Sequence, residues 1–299
     1  MSSIRRNLIT GEPILFAPDR AGRPNAFDGQ TGMSGPHSVG QTFLSAECPF
    51  CPGNESMTPP EIARTGDPWR VRVFPNKYPF APHHEVIVDT RDHKATFDQI
   101  DGAEVIGVYL DRYRALASRN GVKSVVLFKN HGPAAGASLR HPHSQIAAVT
   151  FVPPRIASES HAFARAISCP LCDALATHRV AELIIRETPT MVLLAPHGSS
   201  FAYQQWIVSK RHCSDLTALD DHELRDTATL LQSASVTMRQ IAAAHNWLFL
   251  GFPGVAAAHC YVDLFPRTTN IAGFELATGT FIDVVDPCQT VRVSHDPAS

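Results

Sequence analysis

The sequence predicts an α+β protein made of two fused copies of one unit, placed at residues 1–160 and 161–299. Two Cys-x-x-Cys pairs, Cys48/Cys51 and Cys169/Cys172, open the copies. Histidines then follow at matching offsets. His93 lies 42 residues beyond Cys51 and His141 another 48, while His212 lies 40 beyond Cys172 and His259 another 47. Between these marks both copies run through the same order of strand ending in proline, strand leading to histidine, long helix, and strand. A period of this length, repeated once, implies two fused domains rather than a solenoid.

The elements follow in order. A short strand around Ile14–Ala17 precedes Arg20 and Arg23, and residues 25–45 read as a loop rich in turn formers. After the Cys48-Pro49-Phe50-Cys51 knuckle, Val71–Phe74 alternates as a strand and is punctuated by Pro75-Asn76-Lys77-Tyr78-Pro79. Glu85–Val88 is a second strand leading to His93. Residues 98–119 are helical by the spacing of Ile100, Val105, Val108, Tyr109 and Leu116. Ser124–Phe128 is an apolar strand. A small-residue loop with Gly132 and Gly136 then leads into His141-x-His143-x-Gln145 and an apolar run, Ile146–Val152. In extended chain, alternate side chains share a face, so His141, His143 and Gln145 are expected to line up. The second copy repeats the knuckle, a strand at Thr190–Ala195, a strand at Gln205–Val208 leading to His212, a helix over 215–244, and a strand at Trp247–Leu250 running on to His259.

Composition narrows the class. Of 299 residues, 44% are apolar, enough for a full core, and the net charge of −2 argues against nucleic-acid binding or a polybasic membrane contact. Residues 1–8 lack the apolar stretch of a signal peptide and no run approaches a membrane span, so a soluble, cytoplasmic protein is expected. An odd cysteine count of 7 disfavours a disulfide framework, and paired cysteines with histidines nearby favour zinc.

Two sets of metal ligands result: Cys48, Cys51, His93 and His141, and Cys169, Cys172, His212 and His259. Two sulfurs and two nitrogens close a tetrahedral Zn²⁺ shell and leave no position for water, so both sites are expected to be structural. With 15 histidines in the chain, His83, His84, His131 and His197 remain as substitute ligands. The copies differ at one place: His141-x-His143-x-Gln145 aligns with His259-x-Tyr261-x-Asp263. The ligand is kept and the second histidine is not. His143 is therefore surplus to metal binding, and an imidazole beside a small-residue loop suits attack on a phosphate.

These residues resemble the galactose-1-phosphate uridylyltransferase family, the transferase branch of the histidine-triad superfamily. The likeness rests on Arg20-Ala21-Gly22-Arg23-Pro24, Cys48-Pro49-Phe50-Cys51-Pro52-Gly53-Asn54-Glu55, Phe74-Pro75-Asn76-Lys77-Tyr78-Pro79, His141-Pro142-His143-Ser144-Gln145 and Gly273-Phe274-Glu275-Leu276. It implies two histidine-triad-like domains, each an antiparallel sheet with helices, and a role in galactose or wider carbohydrate metabolism. It also implies a ping-pong reaction. His143 would attack the α-phosphorus of a sugar nucleotide, and the UMP so held would pass to a sugar 1-phosphate. By resemblance Gln145 would contact the transferred phosphoryl group. Ser138, Asn130 and the loop amides would hold phosphates, as would Arg20 and Arg23. Asn76 would meet the nucleoside, Glu275 the sugar hydroxyls, and the chain would form a homodimer. The second Cys-x-x-Cys, with Ala277-Thr278-Gly279-Thr280 after Glu275, looks more like the branch related to plant ADP-glucose phosphorylase, where adenine is the base and inorganic phosphate the acceptor. The other readings are a nucleotide hydrolase with water as acceptor and a zinc-stabilised nucleotide-binding protein without turnover. A zinc hydrolase needs an open metal position that two complete ligand sets do not leave.

Overall fold

The computed structural model describes residues 2–22, 44–177 and 181–295. Its strands and helices are, in order, β1 (Ser3–Arg6), β2 (Pro13–Phe16), β3 (Ala63–Arg64), β4 (Arg72–Pro75), β5 (His83–Val88), α1 (Gly102–Ala117), β6 (Ser124–His131), β7 (His143–Val149), α2 (Pro154–Arg165) and α3 (Pro170–Ala176). There follow β8 (Ile184–Glu187), β9 (Met191–Leu194), β10 (Gln205–Ser209), α4 (Asp221–Ile241), β11 (His245–Leu250), β12 (Tyr261–Pro266), α5 (Gly273–Thr278), β13 (Ile282–Asp283) and α6 (Pro287–His295).

Ten strands form one sheet in the order β3-β4-β5-β7-β6-β11-β12-β10-β9-β8, with every neighbouring pair antiparallel. Read outward from its centre the sheet repeats itself: β6, β7, β5, β4, β3 on one side, and β11, β12, β10, β9, β8 on the other. The expected α+β fold of two antiparallel units is present. The units share a single sheet, joined where β6 pairs with β11 through His131↔His245, Asn130↔Asn246 and Lys129↔Trp247.

One face of the sheet carries α1 and α4. Strand residues of both halves, among them Val73, Ile87, Ile146, Ile207 and Val262, meet Ile106, Leu110, Leu231 and Met238 in one apolar cluster. Local sequence starts both helices. Asp101 caps α1 by accepting from Glu104 N, and Asp220 forms a capping box with Glu223 at α4. Each such cap contributes about 1 kcal/mol. On the other face the halves differ. In the second, α2 and α3 lay Ile156, Phe163, Leu171 and Ala174 against Trp206, Val208 and Tyr261. In the first, the knuckle residues Cys48, Phe50 and Cys51 cover Phe74, Val86 and Val88.

A separate three-stranded sheet pairs β1 with β2 and β2 with β13. The first strands therefore sit beside the second half, where Arg5 pairs with Asp286 at 2.6 Å. Arg6 lies so close to Gly198 that a Cβ there would meet Arg6 O at 2.2 Å. No helix among the described residues is long and apolar enough to cross a membrane.

Candidate active site and metal centres

The eight predicted ligands come together as two clusters, in each of which all ligand atoms lie within 4.8 Å of one another. In the first, His141 Nδ1 lies 3.8 Å from Cys48 Sγ and 3.5 Å from Cys51 Sγ, and His93 Nδ1 lies 3.4 Å from Cys51 Sγ. In the second, His259 Nδ1 lies 3.7 Å from Cys169 Sγ and 3.4 Å from Cys172 Sγ, and His212 Nδ1 lies 3.4 Å from Cys172 Sγ. Ligands at zinc distances of about 2.3 Å for sulfur and about 2.0 Å for nitrogen stand about 3.5 Å apart around a tetrahedron. Both clusters fit a metal on that measure.

Hydrogen bonds set which ring nitrogen faces the thiols. His141 Nε2 donates to Thr90 O at 2.7 Å, His212 Nε2 to Ala256 O at 2.7 Å, and His259 Nε2 to Ser209 Oγ at 2.9 Å. In each ring this leaves the Nδ1 lone pair for a metal. Burial holds both His141 and His259 down to about 4, so both rings are neutral. The substitute ligands His83, His84, His131 and His197 belong to neither cluster.

His141 does not share a strand with His143 and Gln145. β7 begins at His143, because Pro142 has no N–H to give a ladder and its carbonyl instead accepts from Asp89 N at 3.0 Å. The His141 ring joins the first Cys/His cluster, ahead of the strand. On it, His143 lies opposite Val88, and Gln145 lies opposite Val86 and Phe128.

His143 is 7% exposed. Its Nδ1 donates to His141 O at 2.8 Å, which leaves the Nε2 lone pair free. Burial, with the charge of Lys129, lowers its pKa, so the ring is neutral near pH 7. The Phe50 ring, from between the two knuckle cysteines, stands edge-on to both His141 and His143 with centroids 6.1 and 5.2 Å away. Phe50 thus links the first Cys/His cluster to the ring of His143.

Gln145 Oε1 accepts from His84 Nε2 at 2.9 Å and from Asn76 Nδ2 at 3.3 Å. With its oxygen so engaged, the Gln145 amide nitrogen remains as a donor on the face that carries His143. Burial lowers the pKa of His84, and Phe80 lies over its ring with centroids 4.1 Å apart. His84, a substitute ligand by sequence, thus has its place beside Gln145 instead. Its two-residue step from Val86, which faces Gln145, was the available signal.

The glycine loop is tightly folded. Gly132, at φ +82°, presses on the second half, and a Cβ there would meet Ala243 O at 2.8 Å. Ala135 N and Ala137 N both donate to Gly132 O, and Gly136 N to Pro133 O. These three amides are therefore spent inside the loop, while Ala134, Ser138 and Leu139 do not donate to another backbone carbonyl among the described residues. Side chains supply further donors nearby. Asn130 is fixed by Asn246 of β11, whose Nδ2 donates to Asn130 Oδ1 at 2.8 Å and to Ala135 O at 3.0 Å. Asn130 Nδ2 consequently lies on the loop side, 3.7 Å from where a Gly136 Cβ would stand. Asn246 escaped the sequence reading because only strand pairing across the two halves brings it there. Ser138 is exposed at the end of the loop.

Arg20 is exposed in the turn Pro18–Gly22 after β2, and no hydrogen bond or ion pair joins it to the other site residues among the described residues. Arg23 lies outside the described residues. Glu275 sits in the first turn of α5, where it accepts from Ala272 N at 3.1 Å, and no contact within the chain links it to His143.

A family model described as "Domain of unknown function (DUF4931) N-terminal domain" matches residues 27–152. ADP-glucose phosphorylase of Arabidopsis thaliana is 26% identical over 98% of this chain and 92% of its own length. A galactose-1-phosphate uridylyltransferase of Thermotoga maritima is 32% identical over 50% of this chain and 48% of its own. Among solved structures, ADP-glucose phosphorylase from Arabidopsis thaliana with bound ADP-glucose superposes with a TM-score of 0.84, at 25% identity and 99% coverage of both chains.

Proposed function

Because the chain belongs to the galactose-1-phosphate uridylyltransferase family, whose members are enzymes, we propose that it is a nucleotidyltransferase that works as a nucleoside-diphosphate-sugar phosphorylase through a nucleotidyl-His143 intermediate. His143 Nε2 attacks the α-phosphorus of the sugar nucleotide, and the bond from that phosphorus to the bridging oxygen breaks to release a sugar 1-phosphate. An oxygen of inorganic phosphate then attacks the same phosphorus and the P–N bond breaks, returning His143 and releasing a nucleoside diphosphate. Splitting one displacement between two anions into two steps at a neutral nucleophile is the gain of covalent catalysis. The hydrogen bond from His143 Nδ1 to His141 O carries this reading, since it presents Nε2 for attack and holds the ring once its other nitrogen is bonded to phosphorus.

Adenine as base, glucose as sugar and phosphate as acceptor are supported by the likeness to the Arabidopsis ADP-glucose phosphorylase over nearly the whole chain. UMP transfer to a sugar 1-phosphate is the second reading, supported by the Thermotoga uridylyltransferase, which is more alike but over half the length. In either reaction Gln145 and Asn130 would contact the phosphoryl oxygens, with Ser138, Arg20 and Arg23 as further phosphate contacts and Asn76 near the nucleoside. Zinc is the metal assigned to both clusters, on their two-sulfur, two-nitrogen donor sets. The copies are assigned to residues 1–160 and 161–299. A homodimer is proposed in which Glu275, without a link to His143 in its own chain, serves the partner's site.

Intact-mass measurement after incubation with ADP-glucose and UDP-glucose in parallel tests this. An AMP adduct discharged by phosphate supports the first reading, and a UMP adduct discharged only by a sugar 1-phosphate supports the second. No adduct with any common sugar nucleotide overturns both.

A further inference from the structure

Behind His143, on the helix side of the sheet, lies a buried polar group that the sequence reading left unused. Lys129 and Asp89 form an ion pair whose side chains are 4% and 0% exposed. Lys129 Nζ also donates to His143 O at 3.0 Å. Asp89 N donates to Pro142 O at 3.0 Å. Tyr109 OH donates to Asp89 Oδ1 at 2.9 Å and contacts Ser144 Oγ, which lies 3.4 Å from Asp89 Oδ2. Three consecutive residues, Pro142, His143 and Ser144, are thus gripped from one side, while the next peptide, through Thr90 O, holds the His141 ring.

The second half shows what the fold needs without this group. Val88 faces His143 as Val208 faces Tyr261, so Ser209 stands where Asp89 does and Val262 where Ser144 does. By the same registers, Phe128 faces Gln145 as Leu248 faces Asp263, and Phe249 stands where Lys129 does. An ion pair and a hydroxyl are replaced by two apolar side chains and one serine, in an equally buried core. A buried ion pair is poor value as stabilisation, and well-packed apolar residues in its place are often neutral or better. Its presence in the half that carries His143, and there only, calls for another role.

We propose that Lys129, Asp89, Tyr109 and Ser144 are positioning residues that fix the main chain of residues 142–144, so that the His143 ring meets the His141 carbonyl through Nδ1 and turns Nε2 to the cleft. The inference rests on His143 as the reacting group. None of the four touches substrate. Their effect falls on the rate of attack and on which ring nitrogen carries the proton, and not on binding.

The test compares the parent with Lys129→Met/Asp89→Asn, which removes both charges together and keeps an oxygen for Tyr109. Expected are unchanged metal content, an unchanged KM for ADP-glucose, and an adduct burst slowed by about 10–100-fold, the range for partners that orient a reactive group. Nitrogen-15 spectra of the His143 ring should change from one Nδ1–H tautomer to a mixture. If the double variant does not fold, Tyr109→Phe carries the same two readouts with a smaller slowing. An unaltered burst and an unaltered tautomer in a folded variant overturn the proposal. Failure of the parent to form any adduct would sink the phosphorylase reading instead, and the tautomer comparison would still decide this one.

Discussion

In the first half, His143 and Gln145 point from β7 to a face of the sheet that no helix among the described residues covers. In the second, Tyr261 and Asp263 occupy the same register on β12, and α2 lies over them. Arg155 donates to Asp263 Oδ2 at 2.7 Å and to Tyr261 OH at 3.0 Å, and Tyr261 OH donates to Glu159 Oε2 at 2.9 Å. Gln204 and Trp206 both donate to Asp263 Oδ1. The Tyr261 hydroxyl and both Asp263 carboxylate oxygens thus have partners in the protein. In the first half, His143 Nε2, the Gln145 amide nitrogen and Asn130 Nδ2 keep bonding capacity for something else. The two halves share a topology and each carries a Cys/His cluster, and what separates them is whether their polar groups are already satisfied.

The largest effect expected on this contrast is at the two ring positions. His143→Ala should abolish the covalent adduct and cut turnover by about 10³-fold or more. Tyr261→His should give no second adduct, since α2 still closes that site, and mass spectrometry reads both results. Next come the metal clusters. Cys51→Ser should lose one metal per chain and slow turnover by about 100-fold, because Phe50 and His141 no longer brace His143. Cys172→Ser should lose one metal equally but lower the melting temperature with turnover nearly intact. Metal analysis with kinetics separates the two, and equal losses of activity would erase the functional distinction between the clusters.

A smaller effect is expected from Arg155→Met. It leaves Asp263 and Glu159 without a cation and should cost about 2 kcal/mol in denaturant unfolding with kcat unchanged. That is less than the usual loss on breaking a buried pair, because the Arg155 side chain is 40% exposed. A pH-dependent effect is expected beside the second half, where burial pushes Asp283 up to about 7. A carboxyl raised in the folded state favours folding fully below its unfolded value and loses that contribution as pH rises towards 7. Asp283→Asn should therefore raise the melting temperature at pH 8 and leave it nearly unchanged near pH 4.

Much of this contrast was legible in the sequence. The two Cys-x-x-Cys pairs and their histidine offsets located all eight ligands, because a tetrahedral shell requires particular donor types and a duplicated fold repeats their spacing. The aligned His143 and Tyr261 marked His143 as a histidine outside both clusters. The longer strands and both long helices also lay close to where periodicity placed them. Short elements did not show. β3 and β13 are two residues each, and α5 and α6 carry too few turns for a stripe. His141 falls outside the strand of His143 because Pro142 precedes the start of β7, although Phe50 meets both imidazoles. Asn246, His84, Lys129 and Asp89 were hidden for one reason. Each acquires its role from a neighbour far along the chain, and single-sequence periodicity does not report which strands lie side by side.

The pairing of β6 with β11 at the centre of the sheet has a consequence for assembly. Each of these strands would be an open edge if its half stood alone, with a row of unpaired N–H and C=O groups ready to join any other extended chain. Together they shield one another. A fragment ending before α2 would therefore be a sticky template that self-associates, and mixing it with its complementary fragment should restore a soluble particle, since each supplies the strand the other lacks.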